Sequence, residues 1–397
     1  MSPAKSPPQI VTLVLLTSVS VLSLNMFLPS MGQIAEDLEA EYALVSLALG
    51  GYLAVSAVLQ LILGPISDRV GRRPVMLAGM AVFTLASVGC ALAQDIWVFL
   101  AFRMVQCAVG VGMVLSRAVV RDTAPPQEAA RRLAVIGTAM ALAPLMGPVI
   151  GGVLDEAFGW RATFWAFVIM GAALLALSWA DLGETNLERS TSFGAQFRAY
   201  PDLFRAKLFW AYCVLLVFSV GGFYAFLGGA PQVGAAAYGL TPAWLGVGMG
   251  SISGGFMIGN IVSTRMARHW GIVRLMVVGR WCAVLGPVMA IAAIAAGLNH
   301  PAVMFAGVIG VGLGNGLTLP GANAGVMSVA PRLAGSASGL SGALTLAGGA
   351  AISTVVGALV TEAFGVYVLL ASIVVTSLIG LAAAYAVGRL EAGREGL

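Results

Sequence analysis

The stretch Gly64-Pro65-Ile66-Ser67-Asp68-Arg69-Val70-Gly71-Arg72-Arg73-Pro74 decides how the chain is read. One acid, Asp68, stands among Arg69, Arg72 and Arg73. Glycine and proline at both ends make this a tight turn between helices, because glycine accepts unusual backbone angles and proline interrupts a helix. On either side the chain becomes apolar, over residues 44–66 and 74–94. Each window is long enough to cross a bilayer. A short basic turn between two such windows belongs on the cytoplasmic face of a membrane.

Ten further apolar windows occur, at 9–31, 96–117, 132–154, 160–181, 208–230, 243–264, 272–296, 302–323, 336–360 and 365–387. Composition agrees with twelve spans: 59% of residues are hydrophobic and 10% charged, where a soluble domain has roughly 25% charged residues. A soluble enzyme, a disordered chain and a disulfide-stapled secreted domain are thereby excluded. The 51 glycines show no collagen period and suit close helix packing in lipid. The first window is too long for a signal peptide, and no small-x-small cleavage site follows it, so it is expected to be retained. Cys90, Cys107, Cys213 and Cys282 each lie in an apolar run and read as reduced core residues.

Basic residues set the orientation. With the N-terminus inside, the inner segments hold Lys5, Arg69, Arg72, Arg73, Arg117, Arg121, Arg131, Arg132, Arg189, Arg198, Arg205, Lys207, Arg265, Arg268, Arg274, Arg332, Arg389 and Arg394, 18 of the 21 basic residues. The outer loops hold Arg161 with Glu36, Asp37, Glu39, Glu41, Asp95, Asp155, Glu156 and Glu362. Both termini are therefore expected in the cytoplasm, and the net charge of +4 needs no nucleic-acid partner. The longest loop divides the chain into 1–181, a linker 182–207, and 208–397. Two six-helix bundles joined by a cytoplasmic linker is a transporter architecture. The expected fold class is thus all-α, a polytopic membrane protein of twelve helices in two pseudo-symmetric bundles.

Span five carries Pro144, Gly147, Pro148, Gly151 and Gly152. Gly147 and Gly151 share a helix face and allow a neighbour to come close. The two prolines remove backbone donors and favour a bend. Span four places Arg103 inside an apolar run, which makes it a functional candidate. Its alternative is to snorkel, since the span end is about 10 Å away. Arg280 in span nine is equally near an end and is expected to snorkel. Phe223 and Tyr224 in span seven, with Asn315 and Thr318 in span ten, offer aromatic and polar walls for a drug-sized ligand. No G-x-x-x-x-G-K-[ST] string, H-E-x-x-H string or paired-cysteine set is present, so neither direct ATP use nor a metal site is expected. The runs Gly246–Gly250 and Gly310–Gly314 sit within spans and read as helix packing. No cofactor is expected.

The opening string resembles the G-x-x-S-D-R-x-G-R-R-P pattern of the major facilitator superfamily almost residue for residue. The resemblance implies a charge latch between the two halves built on Asp68 and Arg72, with Gly64, Arg69, Gly71, Arg73, Arg121 and Asp122 in the same machinery. The Gly147-Pro148-Val149-Ile150-Gly151-Gly152 string resembles the G-P-x-x-G-G motif of this superfamily's drug exporters, which implies export. Several strings together resemble the bicyclomycin- and chloramphenicol-resistance branch. They are Asn25-Met26-Phe27-Leu28-Pro29, Arg103 to Gln106 with Cys107 in place of the branch's glycine, Arg117 to Asp122, Gly183-Glu184-Thr185, and Ala334 to Gly339.

One departure matters. That branch has aspartate where this chain has Asn25, and asparagine carries no titratable proton. No Asp, Glu, His or Lys is expected deep in any span. Asn25 lies about 9 Å from the outer end of span one, close to the depth of Arg103. Two roles for Arg103 stay open. It accepts a polar or anionic substrate group together with Asn25, Met26 and Gln106, or it bonds protein groups and serves structure. The expected function is a secondary transporter of the bacterial inner membrane. It would export small amphipathic compounds by alternating access, as a monomer in the lipid bilayer. The resemblance implies protons as the coupling ion. An uncoupled facilitator or exchanger for a small organic anion is the alternative, and a ligand sensor or membrane enzyme has less to support it.

Overall fold

The computed structural model describes residues 8–186, 200–330, 333–360 and 364–395. Lys5, Arg189, Arg198, Arg332, Glu362 and residues 187–199 of the expected linker lie outside the described residues, as do the side chains of Arg268 and Arg394. The fold is all-α, with no β-strand among the described residues. Among the described residues, twelve helical segments are long and apolar enough to cross a membrane. The chain forms two compact units, Met1–Phe193 and Gly194–Leu397.

In the first unit, α1 (Ile10–Asn25) leads through a 3-10 turn (Leu28–Ser30) into α2 (Met31–Asp37). Then come α3 (Tyr42–Val70), α4 (Arg72–Leu92) and α5 (Ile96–Val105). A second 3-10 turn (Gln106–Val109) leads into α6 (Gly110–Thr123), followed by α7 (Pro126–Phe158) and α8 (Arg161–Asp181). Spans one and four, expected as single helices, are therefore each broken within the membrane. Pro29 has no N–H to offer the Asn25 carbonyl, which accounts for the first break. Irregular backbone at this depth is tolerated only where protein or a cavity covers it. Here α1 packs on both α6 and α7. Ser20 donates to Val109 O at 2.6 Å, and Ser116 to Leu13 O at 3.3 Å.

The second unit runs α9 (Tyr200–Arg205), α10 (Lys207–Tyr238), α11 (Pro242–Trp270), α12 (Ile272–Ala295), α13 (Pro301–Val329), α14 (Ala334–Leu359) and α15 (Gly365–Glu395). Its centre is α13, packed against α11 and α12, while α10 packs against α14 and α15. The glycine run in span ten makes this possible. A Cβ on Gly312 would overlap the Ile252 carbonyl oxygen, and one on Gly310 would sit 2.8 Å from Cys282 O. Alternate glycines thus serve opposite neighbours. All four cysteines are free thiols.

Candidate functional site

Three groups of residues carry the chemistry, two in the first unit and one in the second. The first lies at the broken spans. Arg103 is completely buried, so it does not snorkel. Its Nε donates to Ala48 O at 3.3 Å, Nη2 to Ser23 O at 2.7 Å, and Nη1 to Gln106 Oε1. The guanidinium lies between two rings, 4.1 Å from the Phe27 centroid and 4.3 Å from that of Tyr52. Gln106 in turn donates to Ser87 Oγ at 2.7 Å. This set joins α1, α3, α4 and α5 at the level of both breaks. No carboxylate pairs with Arg103 among the described residues.

Asn25 faces another way. Its Nδ2 donates to Val21 O at 2.8 Å, and its buried Oδ1 takes no hydrogen bond. A Cβ built on Gly147 would lie 3.3 Å from the Asn25 Cβ, and one on Gly151 would overlap the Met26 carbonyl oxygen. The glycine face of α7 therefore clasps the break in α1. Helix α7 runs unbroken through Pro144 and Pro148, and Gly152 is buried beside Gly151. Two turns beyond Gly147 on that face comes Asp155. The sequence placed it in an outer loop after residue 154. It is instead inside the helix and 2% exposed. The span end moved because Val153 to Phe158 continue the helix until Gly159, whose φ of +80° stops it.

The second group lies at the turn between α3 and α4. Arg72 pairs with Asp68 at 2.5 Å and with Asp122 at 3.0 Å, and also donates to Ser67 Oγ at 2.5 Å. Thr185 donates to the same Asp122 oxygen at 3.3 Å. Glu184 was not assigned a role by sequence reasoning, yet it completes the group. Its carboxylate accepts from the backbone N–H of Arg72 at 2.8 Å and of Arg73 at 3.4 Å, capping α4. Gly71 has φ +115°, and a Cβ there would overlap Glu184 Oε2. Asn186 donates to Asp68 O at 2.8 Å. Arg73 reaches Trp179 O at 2.8 Å, while Arg121 lies back on Arg117 O at 3.4 Å, apart from the cluster. Arg69 is exposed, and the backbone carbonyl of Gly64 accepts from Ser67 Oγ at 2.8 Å. The only signal for Glu184 was its place in the Gly183-Glu184-Thr185 string.

The third group corrects an expectation. Arg280 does not snorkel; it is completely buried. Its Nη2 donates to Asn315 Oδ1 at 2.6 Å and its Nε to Thr318 Oγ1 at 3.1 Å. Asn315 and Thr318, expected as pocket walls, face Arg280. The reason is geometric: α12 and α13 pack so closely at Gly279 and Gly314 that the arginine stem has α13 directly beside it. Phe223 and Tyr224 pack ring to ring at 5.5 Å, Phe223 half-buried and Tyr224 buried.

A profile of the Major Facilitator Superfamily matches residues 13–354. The chain belongs to that superfamily. Its twelve long apolar helices among the described residues are those of a multi-pass membrane protein, in keeping with that superfamily. It is similar to an uncharacterized MFS-type transporter, YdgK, of Bacillus subtilis, 34% identical over 257 residues, 62% of this chain and 64% of that protein. A chloramphenicol resistance protein of Pseudomonas aeruginosa is 29% identical over 271 residues, 68% of this chain and 64% of that one. Multidrug resistance protein MdtL of Escherichia coli is 37% identical over 164 residues, 41% of this chain and 42% of that protein. The match spans less than two thirds of each relative's length. Among solved structures, a D-xylose-proton symporter superimposes with TM-score 0.75 at 14% identity, covering 94% of this chain and 96% of that one. A peptide transporter POT in complex with sulfate does so with TM-score 0.75 at 16% identity, covering 96% of each. These two likenesses concern the major facilitator fold alone.

Proposed function

We propose that this transporter exports small amphipathic compounds from the bacterial cytoplasm across the inner membrane, by alternating access and in exchange for protons. Both termini stay in the cytoplasm, and the protein works as a monomer. The observation that carries the reading is the glycine face of α7 closed on the break in α1, at Gly147 with Asn25 and Gly151 with Met26. It joins the exporter-like string to the discontinuous helix where transporters of this architecture bind cargo. The drug-resistance names of two relatives support the substrate class. Asn25, Met26, Phe223 and Tyr224 are assigned to substrate contact. Arg103 and Gln106, whose hydrogen bonds are made within the protein, hold the two breaks in register. Asn315 and Thr318 support Arg280. Asp68, Arg72 and Asp122, with Glu184 at the α4 terminus, form the conformational latch.

The test is accumulation of cationic, neutral and anionic compounds in a bacterium stripped of its own exporters, with and without a protonophore. The expected result is lower accumulation of a neutral compound such as chloramphenicol, abolished by the protonophore. Movement of anions alone, indifferent to the protonophore, would show the alternative, an uncoupled anion facilitator. That alternative draws on Asn25 and on an Arg103 without an acid partner.

A further inference from the structure

Proton exchange needs a group that takes up and releases a proton, and Asn25 is not one. The face of α7 that clasps α1 carries such a group one turn past its glycines. Gly147, Gly151 and Asp155 recur at the four-residue spacing of one helix face. They meet, in order, Asn25, Met26 and Ser30. Asp155 is 2% exposed, and neither of its carboxylate oxygens takes a hydrogen bond. Ser30, the polar group that faces it, is also fully buried, with its hydroxyl unbonded. Asn25 Oδ1 is the fourth unbonded polar atom along this seam.

Charge around Asp155 is sparse. Its own helix contributes Glu156, the neighbouring acid. Packed against α7, α1 has no titratable residue, and the 3-10 turn brings only Ser30. From α6, Arg117 meets α7 at Met140, about 22 Å along the helix from Asp155. From α8, Arg161 is engaged with Asp37 and with Ala93 O at 3.0 Å. Asp155 also occupies the last turn of α7, where the helix dipole disfavours negative charge. Among the described residues no cation faces this buried carboxylate, Ser30 is the polar side chain turned to it, and the helix dipole opposes its charge. A purely structural residue here would not need to be an acid.

We propose that Asp155 is the proton-binding residue of this transporter, serving the exchange through the Asn25–Ser30 seam in place of an acid at position 25. This rests on the proton-exchange reading above. On the expected topology the Asp155 end of α7 is the outer one. A proton arriving from the outer water forms the O–H bond of the acid as the seam closes. It leaves to cytoplasmic water when the seam opens inward. Substrate crosses in the opposite direction, and no other bond changes.

The test uses the full chain in proteoliposomes with chloramphenicol as probe, comparing the native chain, Asp155→Asn and Asp155→Glu. Two transport modes are read, accumulation driven by a pH gradient and counterflow at equal pH. Infrared difference spectra of the same samples between acid and alkaline pH report the protonated-carboxyl band. In Asp155→Asn we expect driven accumulation to fall by about a hundredfold, with counterflow within about twofold of native and one carboxyl band lost. Asp155→Glu should regain driven accumulation and the band. Native-like driven accumulation in Asp155→Asn, or loss of both modes with the carboxyl band unchanged, overturns the proposal. If the native chain shows counterflow but no pH-driven accumulation, the proton-exchange reading fails first, and the role of Asp155 with it.

Discussion

Arg103 ties five neighbours together through one planar group: two backbone carbonyls, one amide oxygen, and a ring on each face. Lysine cannot reproduce this, because an ammonium has no plane to lie between rings and no fork to span separate acceptors. Arg103→Lys should therefore destabilise the protein by about 2 kcal/mol, read as a lower midpoint of thermal unfolding in detergent. An unchanged midpoint would show that the bonds around Arg103 contribute nothing net. Glu184 acts differently, through two amides at a helix start. Glu184→Ala should cost about 1 kcal/mol, and Glu184→Gln less, since the amide oxygen still accepts. Equal losses in the two variants would argue for charge over hydrogen bonding. The importance of Arg103 was legible in the sequence because an arginine in an apolar span is rare. Its partners were not, since Ser23 and Ala48 contribute backbone oxygens that no residue type advertises. Arg280 looked alike in sequence and was misjudged, because depth from a span end says nothing about which helix lies alongside.

The decisive packing between helices is that of α7 on α1. A Cβ at Gly151 meets the Met26 backbone, which cannot rotate away, whereas one at Gly147 meets side-chain atoms of Asn25 and Leu22 at 3.3 Å. Gly151→Ala should thus cost about 3 kcal/mol and abolish transport. Gly147→Ala should cost under about 1 kcal/mol. Unfolding midpoints and chloramphenicol accumulation compare the two, and an equal effect would show that α7 does not rest on the backbone at Met26. All twelve spans could be read from the sequence, because lipid demands an apolar run of fixed minimum length. The spacing of Gly147 and Gly151 likewise announced a packed face. What stayed hidden were the two breaks and the true end of α7. A break leaves the apolar run intact, and a helix end depends on one glycine, Gly159, entering the positive-φ region.

Across the whole molecule, each unit buries one arginine without an acid beside it among the described residues, Arg103 in the first and Arg280 in the second. Neither is placed to trade its charge during a cycle, since both are held by neutral oxygens. On the proton-exchange proposal, the charge moved per turnover is that of the proton alone when the cargo is neutral. Export of one chloramphenicol against one proton carries one positive charge inward. A membrane potential negative inside must therefore drive it, by about 2.3 kcal/mol per 100 mV for each proton. That energy corresponds to roughly a fiftyfold change in the gradient the transporter can hold. Proteoliposomes clamped by valinomycin and potassium test this without any pH difference. A potential of about 100 mV, negative on the loaded side, should empty chloramphenicol to the far side up to about that limit. Reversing the potential should reverse the flow. A gradient indifferent to potential would mean that cargo and proton are not linked one to one, and an anion facilitator would leave neutral chloramphenicol where it is while expelling an anion from the negative side. Movement of a neutral cargo under a potential therefore separates the two readings that a neutral residue at position 25 leaves open.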